Sequence, residues 1–133
     1  MGWKGVKKQI NIENIKSWCD DIGIYDYTIN SQGQIDVNGN VNLVEKNFKE
    51  LPYKFGKVIG GFNVGYNPNL ISLKNCPDKV GGWFACNKCT KLDSLEGCPK
   101  EVGTNFYCDN CKRKFTKEEV MSLCEVSINI YTT

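Results

Sequence analysis

The chain has 133 residues, 41 % hydrophobic and 24 % charged, with a formal net charge of +2 and no histidine. That is enough apolar material for one packed domain, and far too ordinary a balance for a disordered chain. The net charge makes no case for a nucleic-acid partner, no apolar run approaches the ~20 residues of a membrane span, and the lack of histidine removes the commonest general base, so no enzyme is expected.

Residues 1–10 read as a polar, basic lead-in with one candidate apolar anchor, Trp3. The charged start is not followed by an apolar core region, so it is no signal peptide, and Val6 stands where a myristoylation motif needs Ser or Thr. A cytoplasmic location follows as an expectation, with the eight cysteines reduced. Next comes a helix, with Asn11 as N-cap, Ile12, Ile15, Trp18, Cys19 and Ile22 on one face, and Gly23 placed to stop it. Residues 25–29 and 34–37 are short strand-like runs joined by a polar turn, which predicts a hairpin.

The rest of the chain is organised by a repeat. Residues 59–80, 81–102 and 103–117 align at a constant offset of 22. The offset superimposes Phe62, Phe84 and Phe106; Val64, Cys86 and Cys108; and Asn67, Cys89 and Cys111. It also pairs Leu70 with Leu92, Leu73 with Leu95, Pro77 with Pro99 and Val80 with Val102. An irregular earlier coil begins at Val41 and Leu43 and carries Lys46 where the later coils have Asn or Cys. A fixed period of this length predicts a solenoid, because no single coil can bury its apolar row alone. Each coil is expected to contribute one short strand to a parallel sheet, with a turn at the Asn or Cys and a return through the leucines.

FNVGYNPNLISL and FACNKCTKLDSL resemble the leucine-rich-repeat signature in its Asn and Cys forms. The wording LEGCPKEVG and LPYKFGKV is similar to short repeat proteins encoded by tailed bacteriophages. The likeness covers roughly residues 41–117, and Asn67 and Cys89 stand three before the next Leu, where two is usual. The resemblance implies a short leucine-rich-repeat-like α+β solenoid, and an accessory protein that binds a host factor.

After the third coil, Thr116 and Glu119 make a capping box, with Phe115 and Val120 as its hydrophobic staple. Val120, Leu123 and Cys124 form the apolar side of the closing helix, and Val126, Ile128 and Ile130 alternate as a last strand over 126–131. The expected organisation is thus an N-terminal cap (1–40), the coils (41–115) and a C-terminal cap (116–133).

Cys86, Cys89, Cys108 and Cys111 spell C-x2-C-x18-C-x2-C, a zinc pattern. The repeat offers another account: two of them replace Val64, a small apolar position, and two replace the turn residue Asn67. Structural thiols are the preferred reading, no metal or cofactor is assigned, and a structural zinc stays open as the alternative. The cluster Lys112, Arg113, Lys114 and Lys117 reads as a solvated face. The functional candidates lie on the outward sheet face: Asn63, Tyr66, Trp83, Asn87, Asn105, Tyr107 and Asp109. Trp and Tyr among Asn and small residues suit a protein interface. The reading is a non-enzymatic protein-binding module. The alternatives are a small-ligand or nucleotide sequestering protein, or a structural virion-associated one. A homodimer through the C-terminal strand is a further partner left open.

Overall fold

The computed structural model describes residues 2–133, with side chains from residue 11 onward. It begins with α1 (Gly2–Ile22), which runs back through the expected lead-in. Asn11 is therefore a mid-helix residue and not an N-cap. The preceding Lys, Val and Gln residues favour helix or tolerate it, and no proline interrupts them. The Trp3 side chain lies outside the described residues. The stop falls where expected: Gly23 has φ of 90° and its N–H donates to the Cys19 carbonyl at 3.0 Å. Ile15 and Cys19 are buried, and the Trp18 ring meets Phe48, Tyr53 and Phe55 at centroid distances of 6.3, 5.7 and 6.0 Å. This face of α1 lies on the first coils. No described helix is long and apolar enough to cross a membrane.

The body is a parallel-strand solenoid of about four turns with a spacing near 22 residues. Its first pair, β1 (Tyr27–Ile29) and β2 (Ile35–Val37), is the expected antiparallel hairpin. From β2 onward every pairing is parallel. Each coil then contributes two strands where one was expected. β2, β4 (Phe55–Val58), β6 (Lys79–Val80), β8 (Glu101–Val102) and β10 (Glu125–Val126) form sheet A beside β1. β3 (Val41–Asn42), β5 (Phe62–Asn63), β7 (Phe84–Ala85), β9 (Phe106–Tyr107) and β11 (Ile130–Tyr131) form sheet B.

The second sheet has a physical cause. Val58, Val80 and Val102 form their own buried column, at no more than 1 % exposure, just before the Gly-rich corner. At that corner successive coils touch through backbone: a Cβ on Gly81 would meet the Ile59 carbonyl, and one on Gly103 the Gly81 carbonyl. Glycine therefore lets the chain turn from one extended column into the next at coil-stacking distance.

Between the sheets lies a ladder of Phe55, Phe62, Phe84 and Phe106, with successive centroids 5.0, 6.0 and 5.1 Å apart. Leu70, Leu73, Leu92 and Leu95 close the other side at no more than 3 % exposure. Each such side chain contributes roughly 1.5–3 kcal/mol of burial.

α2 (Lys117–Leu123) starts as the sequence expects: Thr116 accepts from Glu119 N–H at 3.1 Å, and the Glu119 carboxylate accepts from Thr116 N–H at 3.1 Å. Arg113 grips the same carboxylate at 3.0 and 2.6 Å and lies 4.6 Å from the Phe115 ring centroid. Val120 and Cys124 are buried, but Leu123 is 45 % exposed, because it sits on the last helical turn facing away from the core. The tail differs too. Instead of one strand over 126–131 it makes β10 and β11, one in each sheet, so that Ile128 falls on the exposed corner between them.

Candidate functional site

The outward face of sheet B gathers the expected residues into columns. Register pairs Asn63 with Ala85, Ala85 with Tyr107, and Tyr107 with Tyr131. The neighbouring column runs through Gly61, Trp83, Asn105 and Asn129, whose carbonyls accept from the strand residues Val41, Phe62, Phe84 and Phe106 of the coil before. The Tyr107 and Tyr131 rings stack with centroids 4.9 Å apart and planes 7° from parallel. Asn105 Nδ2 donates to the Tyr107 hydroxyl at 3.2 Å, and Asn105 Oδ1 accepts from Asn129 N–H at 3.0 Å. The phenol rings are thus held standing in a row, at little further entropy cost on binding.

Other members are less free than their letters suggest. Trp83 is half-buried, its indole lying over Gly61, where any Cβ would overlap it. Asn63 Oδ1 accepts from Gly65 N–H at 2.9 Å, so that side chain serves its own turn. Asp109 Oδ2 accepts from Asn110 Nδ2 at 3.0 Å. Asn87 is half-buried in the column beyond.

Where each coil leaves sheet B, a residue takes the left-handed conformation: Glu45, Tyr66, Lys88 and Asn110, with φ of 56°, 57°, 58° and 57°, joined in the first turn by Asn47 at 61°. Non-glycine residues pay a steric penalty there, so the neighbouring turn must hold them. Tyr66 is 41 % exposed with Lys88 Nζ 5.2 Å from its ring centroid. Glu45, Asn47, Tyr66, Pro68 and Lys88 line a groove of about 480 Å³ at this margin.

The following turn residue does the holding. Asn67 is wholly buried, and its Nδ2 donates to the carbonyls of Leu43, Val64 and Gly65 at 2.9, 2.9 and 3.1 Å. Its Oδ1 accepts from Lys46 and Phe48 N–H at 3.0 and 3.3 Å. That is how the earlier coil, with Lys46 in the turn position, is satisfied. Cys89 Sγ points to the carbonyls of Val64 and Asn87 at 3.5 and 3.8 Å, and Cys111 Sγ to those of Cys86 and Asp109 at 3.3 and 3.8 Å. Each thiol thus takes over, in its own coil, two of the contacts that the Asn67 amide makes.

All eight cysteines are free of disulfides. Burial pushes the Cys89 thiol up to about 11 and Cys108 to about 12. Cys86 is held well above its ordinary value by donating a hydrogen bond to Cys111 and by burial, and Cys111, the acceptor, is drawn below its own. Among the described residues no three of His, Cys, Asp or Glu converge in an arrangement that would hold a metal ion. The C-x2-C spacing here follows the coil geometry.

Two residues of this face were missed from sequence, Asn129 and Tyr131. The signal was present: residues 129–131 (NIY) repeat residues 105–107 (NFY), but 24 residues on, because α2 lengthens that coil. No protein-family model, curated protein or solved structure matches the chain.

Proposed function

We propose that this chain is a non-enzymatic protein-binding repeat module that docks a protein on the outward face of sheet B. The observation that carries the reading is the stacked pair Tyr107 and Tyr131, fixed by Asn105 and flanked by Trp83. Pre-ordered Tyr and Trp among uncharged amides is the composition of interface hot spots rather than of a solvated surface. Tyr66 and Lys88 extend the face to its margin, with Asn63, Asn87 and Asp109 between. The similarity of the coil wording to phage-encoded repeat proteins supports an accessory protein acting in the host cytoplasm, where it binds and inhibits a defence-related factor. A second copy of the chain is a further partner, at the strand that ends sheet B.

The test is affinity capture from bacterial lysate, with wild type beside the Trp83→Ala/Tyr107→Ala variant. A protein retained by the first and lost by the second supports the reading; equal capture by both removes the face from it. The groove at Tyr66, Lys88 and Glu45 favours a second reading, sequestration of a small ligand such as a nucleotide. That reading predicts a heat-stable small molecule released on denaturation of the purified chain, and loss of that molecule in Tyr66→Ala.

A further inference from the structure

Sheet B ends in two outer strands, β3 and β11. No strand among the described residues is paired to the far side of β11. In sheet B alternate residues face the following coil: Phe84 N–H donates to Asn105, Phe106 N–H to Asn129 and Cys108 N–H to Tyr131. The same alternation leaves the N–H groups of Ile130 and Thr132 pointing away from the solenoid. At the corner the order reverses, Thr104 N–H donating to Gly82 and Ile128 N–H to Thr104. The Ile128 carbonyl therefore also points outward.

Natural sheet edges are guarded by charge, proline or a bulge. Residues 126–132 (VSINIYT) carry no charge, proline or glycine, and are mostly β-branched or aromatic. Ile128 is 62 % exposed and Tyr131 40 %, while Val126 and Ile130 are only half-covered, unlike Val102 and Phe106 one rung earlier.

We infer that β11 pairs antiparallel with β11 of a second copy about a two-fold axis at Ile130. In that register each Ile130 donates to and accepts from the other. Each Thr132 N–H reaches the other copy's Ile128 carbonyl. The outward-pointing groups just described are thus satisfied by their own symmetry mates, with no like charges brought together. The half-covered Ile130 side chains meet on the inner side. Outside, Tyr131 comes to lie opposite Asn129 of the second copy, so the Tyr107–Tyr131 row of one copy continues into the Asn105–Asn129 column of the other. The two sheets B become one, and the face proposed to bind protein spans both copies. The pairing stands on the edge itself; only this last consequence rests on the proposed function.

Sedimentation of the purified full chain across the micromolar range tests the pairing without any partner. Wild type should reach a dimer and go no further. Thr132→Pro removes an outward N–H that the monomer's ladder does not use, and Ile128→Lys sets two charges against each other on an exposed corner. Both should be monomeric, with the far-UV spectrum and dilute-solution melting of wild type. In the wild-type dimer the Ile130 and Thr132 amides should gain hydrogen-exchange protection that they lack on dilution. A wild type that stays monomeric, a dimer that survives in both variants, continued growth with concentration as in head-to-tail stacking, or unprotected Ile130 and Thr132 amides in the dimer would each overturn it. A failed capture of host protein would leave this result untouched, and the reverse.

Discussion

The turn at Asn67 and the turn at Cys89 occupy the same place in successive coils, yet they are held by different chemistry. Asn67 is both donor and acceptor, tying three carbonyls and two N–H groups across two coils. Cys89 keeps only the donor half, through two long sulfur contacts. The difference reflects what each preceding coil supplies. Before Asn67 the chain has Lys46 in the turn position, which offers no short polar group, so the next coil's amide must serve both turns. Before Cys89 the turn already has its own amide. A thiol, small and apolar, then fills the space at little desolvation cost.

The largest expected break in this comparison is Asn67→Ala. It strands several buried backbone groups at once, each worth about 1–3 kcal/mol when left unsatisfied, so urea unfolding should show a loss of roughly 4 kcal/mol or more. Next comes a control for the shared interior: Leu73→Ala and Leu95→Ala, buried alike in the two coils, should each cost ~2–5 kcal/mol, and Lys91→Ala, at the exposed position beside Leu92, under about 0.5. A Leu95→Ala cost no greater than that of Lys91→Ala would mean the coil register is wrong. Cys89→Ala should be far milder than Asn67→Ala, about 1 kcal/mol, since only weak sulfur donation and a small volume are lost. If the two variants are equally destabilised, the division of labour between amide and thiol fails.

Chemical labelling sharpens the same comparison with no change in stability. Cys111 is half-exposed and its thiol is drawn below the ordinary value, whereas Cys86 and Cys89 are buried and pushed above it. Iodoacetamide at neutral pH should therefore modify Cys111 first, and its rate should rise with pH earlier than for a free thiol. Peptide mass mapping reads the order, and modification of Cys86 ahead of Cys111 would contradict it. The smallest effect is at α2. The Arg113 guanidinium, with Thr116 N–H, holds Glu119 down to about 2 from an ordinary 4.5. A depressed carboxylate contributes stability that is full above its unfolded pKa and lost as pH falls through the folded one, so the loss falls between pH 4.5 and about 2. The pair is on the surface, so its contribution is small. Acid titration of Glu119→Gln beside wild type should show the two converge at the acid end of that window.

Much of this was legible in the chain itself. The 22-residue offset located the coils, the Phe ladder and the equivalence of Asn67, Cys89 and Cys111, because stacked coils put identical demands on identical positions. The box at Thr116 and Glu119 and the stop at Gly23 were legible for a local reason: both are satisfied within a few residues. The outward columns of the candidate face followed from the same period, but their accessibility did not. Trp83 proved half-buried because Gly61 in the coil before leaves room for an indole, a relation between coils and not within one.

Other features were decided only in three dimensions. The second sheet arises where strands of two to four residues pair across coils, and runs that short carry no period of their own. The start of α1 has no capping signal to mark it. Tyr131 joined Tyr107 because α2 takes up extra residues in the last coil and still returns the chain to the same rung. Sequence by itself determined which residues are equivalent, since equivalence is a matter of spacing. The tertiary structure decided which of them are covered, paired or left at an edge, since that depends on the coil before and the coil after.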